Sequence, residues 1–298
     1  MTDVVIRAEG LVKDYRKVRA LDGLDLEVRR GEVFGFVGPN GSGKSTTIRI
    51  LLDLLRPTAG WVEVLGTAPR AGGAALRARI GYLPGELSMD GSDTAGEALQ
   101  YLARLRGSGA SRIGPLAERF GLDLDRPIRG LSKGNKQKVG VVQAFMHEPE
   151  LLVLDEPTSG LDPLLQHEFL TLLDEAQAAG ATVFMSSHVL SEVEAAADRV
   201  AIIRDGALID IGDMATLRSQ AGQHVRISFA DPVDVLELAA LPGVDHPVLD
   251  GTTFTCVLRG EPDGLIKVAA GHHVTAFRVV DRDLEDLFLD LYRAEVTS

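Results

Sequence analysis

Val33-Phe-Gly-Phe-Val37-Gly38-Pro39-Asn40-Gly41-Ser42-Gly43-Lys44-Ser45-Thr46 is the stretch on which the reading of this chain turns. It opens as a buried-strand pattern that ends in a glycine. It continues as a glycine-rich loop and then as a helix expected to run to about Arg56, before Pro57. Gly38 to Ser45 fits G-x-x-x-x-G-K-[ST], and the flanking strand and helix supply the context that makes this spacing specific. The glycines let the backbone wrap close to a polyphosphate with its N–H groups turned inward. The helix start adds a partial positive charge. Lys44 is expected to reach the β- and γ-phosphates, and Ser45 to place its hydroxyl on Mg²⁺.

Working outward, Leu151-Leu-Val-Leu-Asp155-Glu156 reads as a second buried strand with two carboxylates at its end. Asp155 there can hold Mg²⁺ directly or through water, and Glu156 can orient or deprotonate an attacking water. Short strands are also expected at Val4 to Val12, Leu24 to Val28, Trp61 to Leu65, Ile80 to Leu83 and Thr182 to Ser187, with a hairpin across Asp205–Gly206. Helices are expected over about Asp93 to Leu122 with a joint at Gly107 to Gly114, over Ser132 to His147, Pro163 to Ala179 and Ser191 to Ala197. Strands alternating with helices imply a parallel sheet with helices packed on it, so an α/β fold.

Further stretches carry a family resemblance. Leu131-Ser132-Lys133-Gly134-Asn135 resembles the signature loop of ABC ATPases, usually written LSGGQ. Ser159-Gly-Leu-Asp162 resembles that family's D-loop, His188 its switch histidine, and Tyr15 the aromatic that stacks on adenine. The resemblance covers about Val4 to Leu217. It implies a P-loop ABC ATPase domain with a RecA-like core, an antiparallel β subdomain and a helical subdomain. It also implies ATP and Mg²⁺ as cofactors, and a head-to-tail pair of ATPase subunits, here expected to be a homodimer. Ser132, Gly134 and Asn135 would then act on ATP held by the phosphate loop of the partner, with Asp162 nearby. The remaining implied partner is a polytopic transmembrane permease, which would hold the chain at the cytoplasmic face of the cell membrane.

Two positions depart from the family pattern. Lys133 stands where a second glycine is usual, and is read either as extra positive charge near phosphate or as a side chain in solvent. In Ile80-Gly-Tyr-Leu-Pro84-Gly85-Glu86 the family's glutamine after the proline is replaced by Gly85. Glu86 is read either as a substitute metal or water ligand or as a solvated loop carboxylate.

The 298 residues are 45% hydrophobic and 25% charged, with net charge −12. That balance supports a sizeable core and argues against nucleic acid as a partner, because such binders carry a basic face. No apolar run approaches the ~20 residues that cross a bilayer, and no signal peptide is visible. Lone Cys256 permits no internal disulfide. The texture changes after Leu217. Residues 1–218 are read as the nucleotide-binding domain and 219–298 as an accessory domain with 6 Lys/Arg against 13 Asp/Glu. Its expected order, β-α-β-β-α-β plus a closing helix at Leu284 to Arg293, is the split β-α-β, ferredoxin-like α+β pattern. With one ATPase domain and such a tail, the chain most resembles the ATP-binding subunits of drug and antibiotic exporters. A soluble ABC ATPase working on ribosomes or DNA, and a scaffold that no longer hydrolyses, are the competing readings. The first usually has two ATPase domains or a long coiled coil, and the second is opposed by Lys44, Asp155, Glu156 and His188.

Overall fold

A computed structural model describes residues 3–87 and 91–281. They divide between two compact units, Met1–Gly212 and Asp213–Ser298. The division drawn from the sequence at Arg218 lies inside the first helix of the second unit.

The first unit opens with β1 (Val4–Tyr15) and β2 (Val18–Arg29), an antiparallel ribbon closed by a two-residue turn at Arg16-Lys17. Then come β3 (Val33–Val37), α1 (Lys44–Leu51), β4 (Ala59–Val64), α2 (Pro69–Ala78) and β5 (Ile80–Leu83). Helices α3 (Ala95–Arg106), α4 (Ala110–Arg119) and α5 (Lys133–Phe145) follow. The unit ends with β6 (Leu151–Asp155), α6 (Pro163–Ala178), β7 (Thr182–Ser187), α7 (Leu190–Glu194), β8 (Arg199–Arg204) and β9 (Ala207–Asp213).

Two sheets result. One is the antiparallel set β2-β1-β4, and the other has six strands in the order β5-β6-β7-β3-β8-β9. The pairs β5–β6, β6–β7, β7–β3 and β3–β8 are parallel. Every residue of β3, β6 and β7 is buried, as expected for central strands covered on both faces. Phe34 and Phe36 pack on Phe184 at ring distances of 6.0 and 5.3 Å, which ties β3 to β7. With β3 between β7 and β8, the loops leaving β3, β6 and β7 emerge at the same edge, the crevice where open α/β sheets bind ligands.

Two local expectations need correction. Helix α1 stops at Leu51 rather than near Arg56. Asp53 adopts a left-handed backbone, φ 57°, and the amides of Leu54 and Leu55 both turn back to the carbonyl of Arg49. The joint between α3 and α4 is also shorter than Gly107 to Gly114, because α4 begins at Ala110 and includes Pro115. Helix α3 is closed at its start by a capping box between Thr94 and Glu97.

The second unit contains α8 (Met214–Ala221), β10 (Gln223–Phe229), α9 (Val235–Ala239), β11 (Val244–Asp250), β12 (Thr253–Leu258), α10 (Asp263–Ala269) and β13 (Val274–Asp281). Its sheet runs β11-β12-β10-β13 with every neighbouring pair antiparallel. In that order β12 lies between β11 and β10, and β10 lies between β12 and β13. Val225, Ile227, Phe229, Phe254 and Leu265 form its core. The closing helix expected at Leu284 to Arg293 lies outside the described residues.

Candidate functional site

The loop between β3 and α1 is shaped by contacts that leave no room for larger residues. A Cβ at Gly38 would lie 2.2 Å from the Ile203 carbonyl oxygen. Gly43 takes φ 111°, and a Cβ there would lie 2.7 Å from the Ala20 carbonyl oxygen. The loop is anchored from both sides. The Gly38 amide donates to Ser187 (3.3 Å), and the Gly206 amide in the β8–β9 turn donates to the Ser42 carbonyl (3.0 Å). No side chain caps α1, so the first-turn N–H groups stay at the open helix start.

Lys44, only 6% exposed, folds back over this loop. Its Nζ donates to the carbonyls of Gly38 (2.6 Å) and Pro39 (3.2 Å) and stands 3.6 Å from Glu156 Oε1. Burial lowers its pKa, opposed by the nearby charges of Glu156 and Asp155. A buried ammonium needs anionic company. The hydroxyl of Ser42 is buried with no hydrogen-bond partner. A loop with an unpartnered hydroxyl, a buried cation and a free helix start fits a polyphosphate.

Asp155 ends β6, and Ser186 Oγ on β7 donates to its Oδ1 at 2.6 Å. Gly85 packs against the same carboxylate, since a Cβ at Gly85 would lie 3.6 Å from Asp155 Oδ2. Glu156 sits at φ 50°, with its amide donating to Ser186 O at 3.1 Å. Its Oε2 lies 2.6 Å from His188 Nδ1, so one carboxylate reaches the phosphate-loop lysine with one oxygen and the histidine with the other.

Asp155, Glu156 and His188 open onto one cleft of about 690 Å³. Asn40, Ser45, Glu86, Asp155, Glu156 and His188 are among its walls. Glu86 is exposed but shares the cleft with Asp155. A serine hydroxyl and one carboxylate are the sparse protein donors typical of Mg²⁺ held jointly with phosphates. Among the described residues no group of three or more His, Cys, Asp or Glu side chains is placed to hold a metal alone.

The other expected residues lie elsewhere. Tyr15 is 40% exposed at the end of β1, with the Lys13 ammonium 5.3 Å from its ring centre, and it is not a wall of the cleft. Ser132 caps α5 by accepting from the Asn135 amide (3.3 Å), and Asp162 caps α6 by accepting from the Leu165 amide (3.0 Å). Gly134 meets the Ser159-Gly160 loop so closely that a Cβ there would stand 2.6 Å from the Gly160 carbonyl oxygen. The sequence reading missed Ser186 and Gln137. Gln137 Nε2 donates to Pro157 O at 2.8 Å and lies 3.4 Å from Glu156 O. A glutamine on the apolar stripe of a helix was the available signal.

Comparison with known proteins agrees with this geometry. Residues 21–159 match the model of the ABC transporter family. The chain is 35% identical to the daunorubicin/doxorubicin resistance ATP-binding protein DrrA of Streptomyces peucetius, over 96% of this chain and 92% of that one. It is 32% identical to the Nod factor export ATP-binding protein I of Ralstonia nicotianae, over 98% and 95%. Among solved structures, the ATP-binding subunit of an ABC transporter superposes with a TM-score of 0.68 at 32% identity, over 72% of this chain and 92% of that one. The chain therefore belongs to the ABC transporter family, among its ATP-binding, ATP-hydrolysing subunits.

Proposed function

We propose that this chain powers the export of a drug, antibiotic or other lipophilic compound through a polytopic permease, hydrolysing ATP in a head-to-tail dimer of two such subunits. Relatives named for daunorubicin/doxorubicin resistance, linearmycin resistance and Nod factor export, matched over nearly their whole length, support the exporter class. The observation that carries the hydrolytic part is the convergence of Lys44, Glu156 and His188, within 3.6 and 2.6 Å of one carboxylate.

In this reading Gly38, Pro39, Asn40, Gly41, Ser42, Gly43 and Thr46 enclose the polyphosphate, and Lys44 neutralises its β- and γ-oxygens. Ser45 and Asp155 hold Mg²⁺, with Glu86 as a further oxygen on the rim. The ion supplies charge neutralisation on the phosphates. Glu156 orients and deprotonates the attacking water, and His188 holds its carboxylate in place. Tyr15 offers a face to adenine. Ser132, Gly134 and Asn135, beside Asp162, present the start of α5 to ATP bound by a second copy, in an isologous interface. The described residues contain no helix long and apolar enough to cross a membrane. In this reading the permease holds the chain at the cytoplasmic face.

The test is affinity capture of the tagged chain from detergent-solubilised membranes. Co-purification of a polytopic membrane protein is expected. Recovery of ribosomes or DNA, with no membrane protein, sinks the transporter assignment.

A further inference from the structure

Helix α5 carries one polar side chain into its buried stripe. Gln137 is 2% exposed, one or two turns from Val141, Ala144 and Phe145. A primary amide in such a place is costly unless its hydrogen bonds are made. Its Nε2 donates to Pro157 O at 2.8 Å and lies 3.4 Å from Glu156 O. Both carbonyls belong to the turn that leaves β6, where Glu156 holds the left-handed φ of 50°. A side-chain-bearing residue stays in that region only when its surroundings over-determine it. Three contacts do so here. The Glu156 amide donates to Ser186 O, the Ser159 amide donates to Glu156 O, and Gln137 grips the next peptide from a separate helix.

The direction of the Glu156 side chain follows from that backbone. Its carboxylate spans Lys44 and His188 at 3.6 and 2.6 Å, and rotation about the Glu156 φ would move both this side chain and the downstream carbonyls that Gln137 holds. We infer that Gln137 is a positioning residue for hydrolysis, its amide clamping the Glu156–Pro157 turn so that the Glu156 carboxylate stays aimed into the cleft. This rests on the reading of Glu156 as the group that activates water. Gln137 touches no nucleotide in this account, so its loss acts on turnover and spares binding.

The experiment uses the full chain with Mg²⁺ and ATP. Single-turnover hydrolysis and equilibrium binding of a fluorescent non-hydrolysable ATP analogue are measured side by side. Gln137→Met keeps the volume and removes the donor. Gln137→Asn keeps the amide one methylene short and decides the matter if the first variant does not fold. Each folded variant is expected to hold analogue affinity within about threefold and lose about tenfold or more in hydrolysis rate. In a Glu156→Gln background, Gln137→Met is expected to add no further loss, because both changes disable one device. Parental hydrolysis in a folded variant, affinity falling as far as the rate, or losses that add in the double variant each overturn the inference. If Glu156→Gln itself hydrolyses at the parental rate, the reading of Glu156 fails and the inference goes with it. Silent Gln137 variants beside an inactive Glu156→Gln refute the inference alone.

Discussion

The two units bury different kinds of side chain. Among the described residues, every buried polar or charged side chain lies in the first unit, including Ser42, Lys44, Gln137, Asp155, Ser186 and Ser187. The second unit buries Val225, Ile227, Phe229, Phe254, Cys256 and Leu265. Burial pushes the Cys256 thiol up to about 11, which leaves it an inert core residue. Buried polar groups lower stability unless they are paired, and pairing them is demanding. Five of them, Ser42, Lys44, Asp155, Ser186 and Ser187, gather around the edge where β3, β6 and β7 end, where a charged ligand could pair them. The second unit has the interior of a module built to pack.

That contrast is most easily broken at Lys44. Lys44→Ala removes the buried cation from the phosphate loop and is expected to weaken ATP affinity by about 100-fold, the scale of two charge-assisted hydrogen bonds. Isothermal titration with ATP would show it, and near-parental affinity would mean the loop is not where the phosphates sit.

Paired glycine substitutions sharpen the comparison. In Gly134→Ala the new methyl would meet the Gly160 carbonyl oxygen at 2.6 Å. Overpacking of this kind costs about 1–3 kcal/mol, and ATP turnover should fall with it by roughly tenfold. Gly264 lies inside α10 with nothing near its would-be Cβ. Gly264→Ala should instead raise stability by about 0.5–1 kcal/mol with turnover unchanged. Urea melts and ATPase assays on both variants check this. Equal effects from the two would erase the distinction drawn between the units.

Glu86→Ala is expected to cut transport by the assembled system while nucleotide affinity stays within about threefold, since Glu86 sits on the rim of the cleft. An unchanged transport rate there ends its role as substitute for the missing glutamine. The smallest effect on ATP is expected from Phe254→Ala, a fully buried residue of the second unit. It should destabilise that unit by about 3–5 kcal/mol and leave the KM for ATP as it was. A shifted KM would show that the acidic unit communicates with the nucleotide site.

How much of this was legible in the sequence depended on range. Gly38 to Thr46 could be read because its function follows from a contiguous loop and the helix it opens. The β6 carboxylates could be read because a strand of five buried residues announces where it ends. The end of α1 could not, because it turns on the left-handed backbone of Asp53, which no apolar period records. Nor could the clamp from Gln137, whose partners lie 19 and 20 residues away and are main-chain carbonyls. The replacement by Gly85 was visible as a departure. Its consequence, a bare backbone packed against Asp155, needed the three-dimensional arrangement.

The central claim is that the edge where β3, β6 and β7 end is a hydrolytic ATP site in which Glu156 acts on water. Its most direct test is Glu156→Gln, with ATP affinity and ATP hydrolysis measured on the same preparation. The account predicts that the variant binds ATP at least as well as the parent, because the amide removes a negative charge near the phosphates, and that hydrolysis falls by about 100-fold or more. Hydrolysis at the parental rate would contradict it.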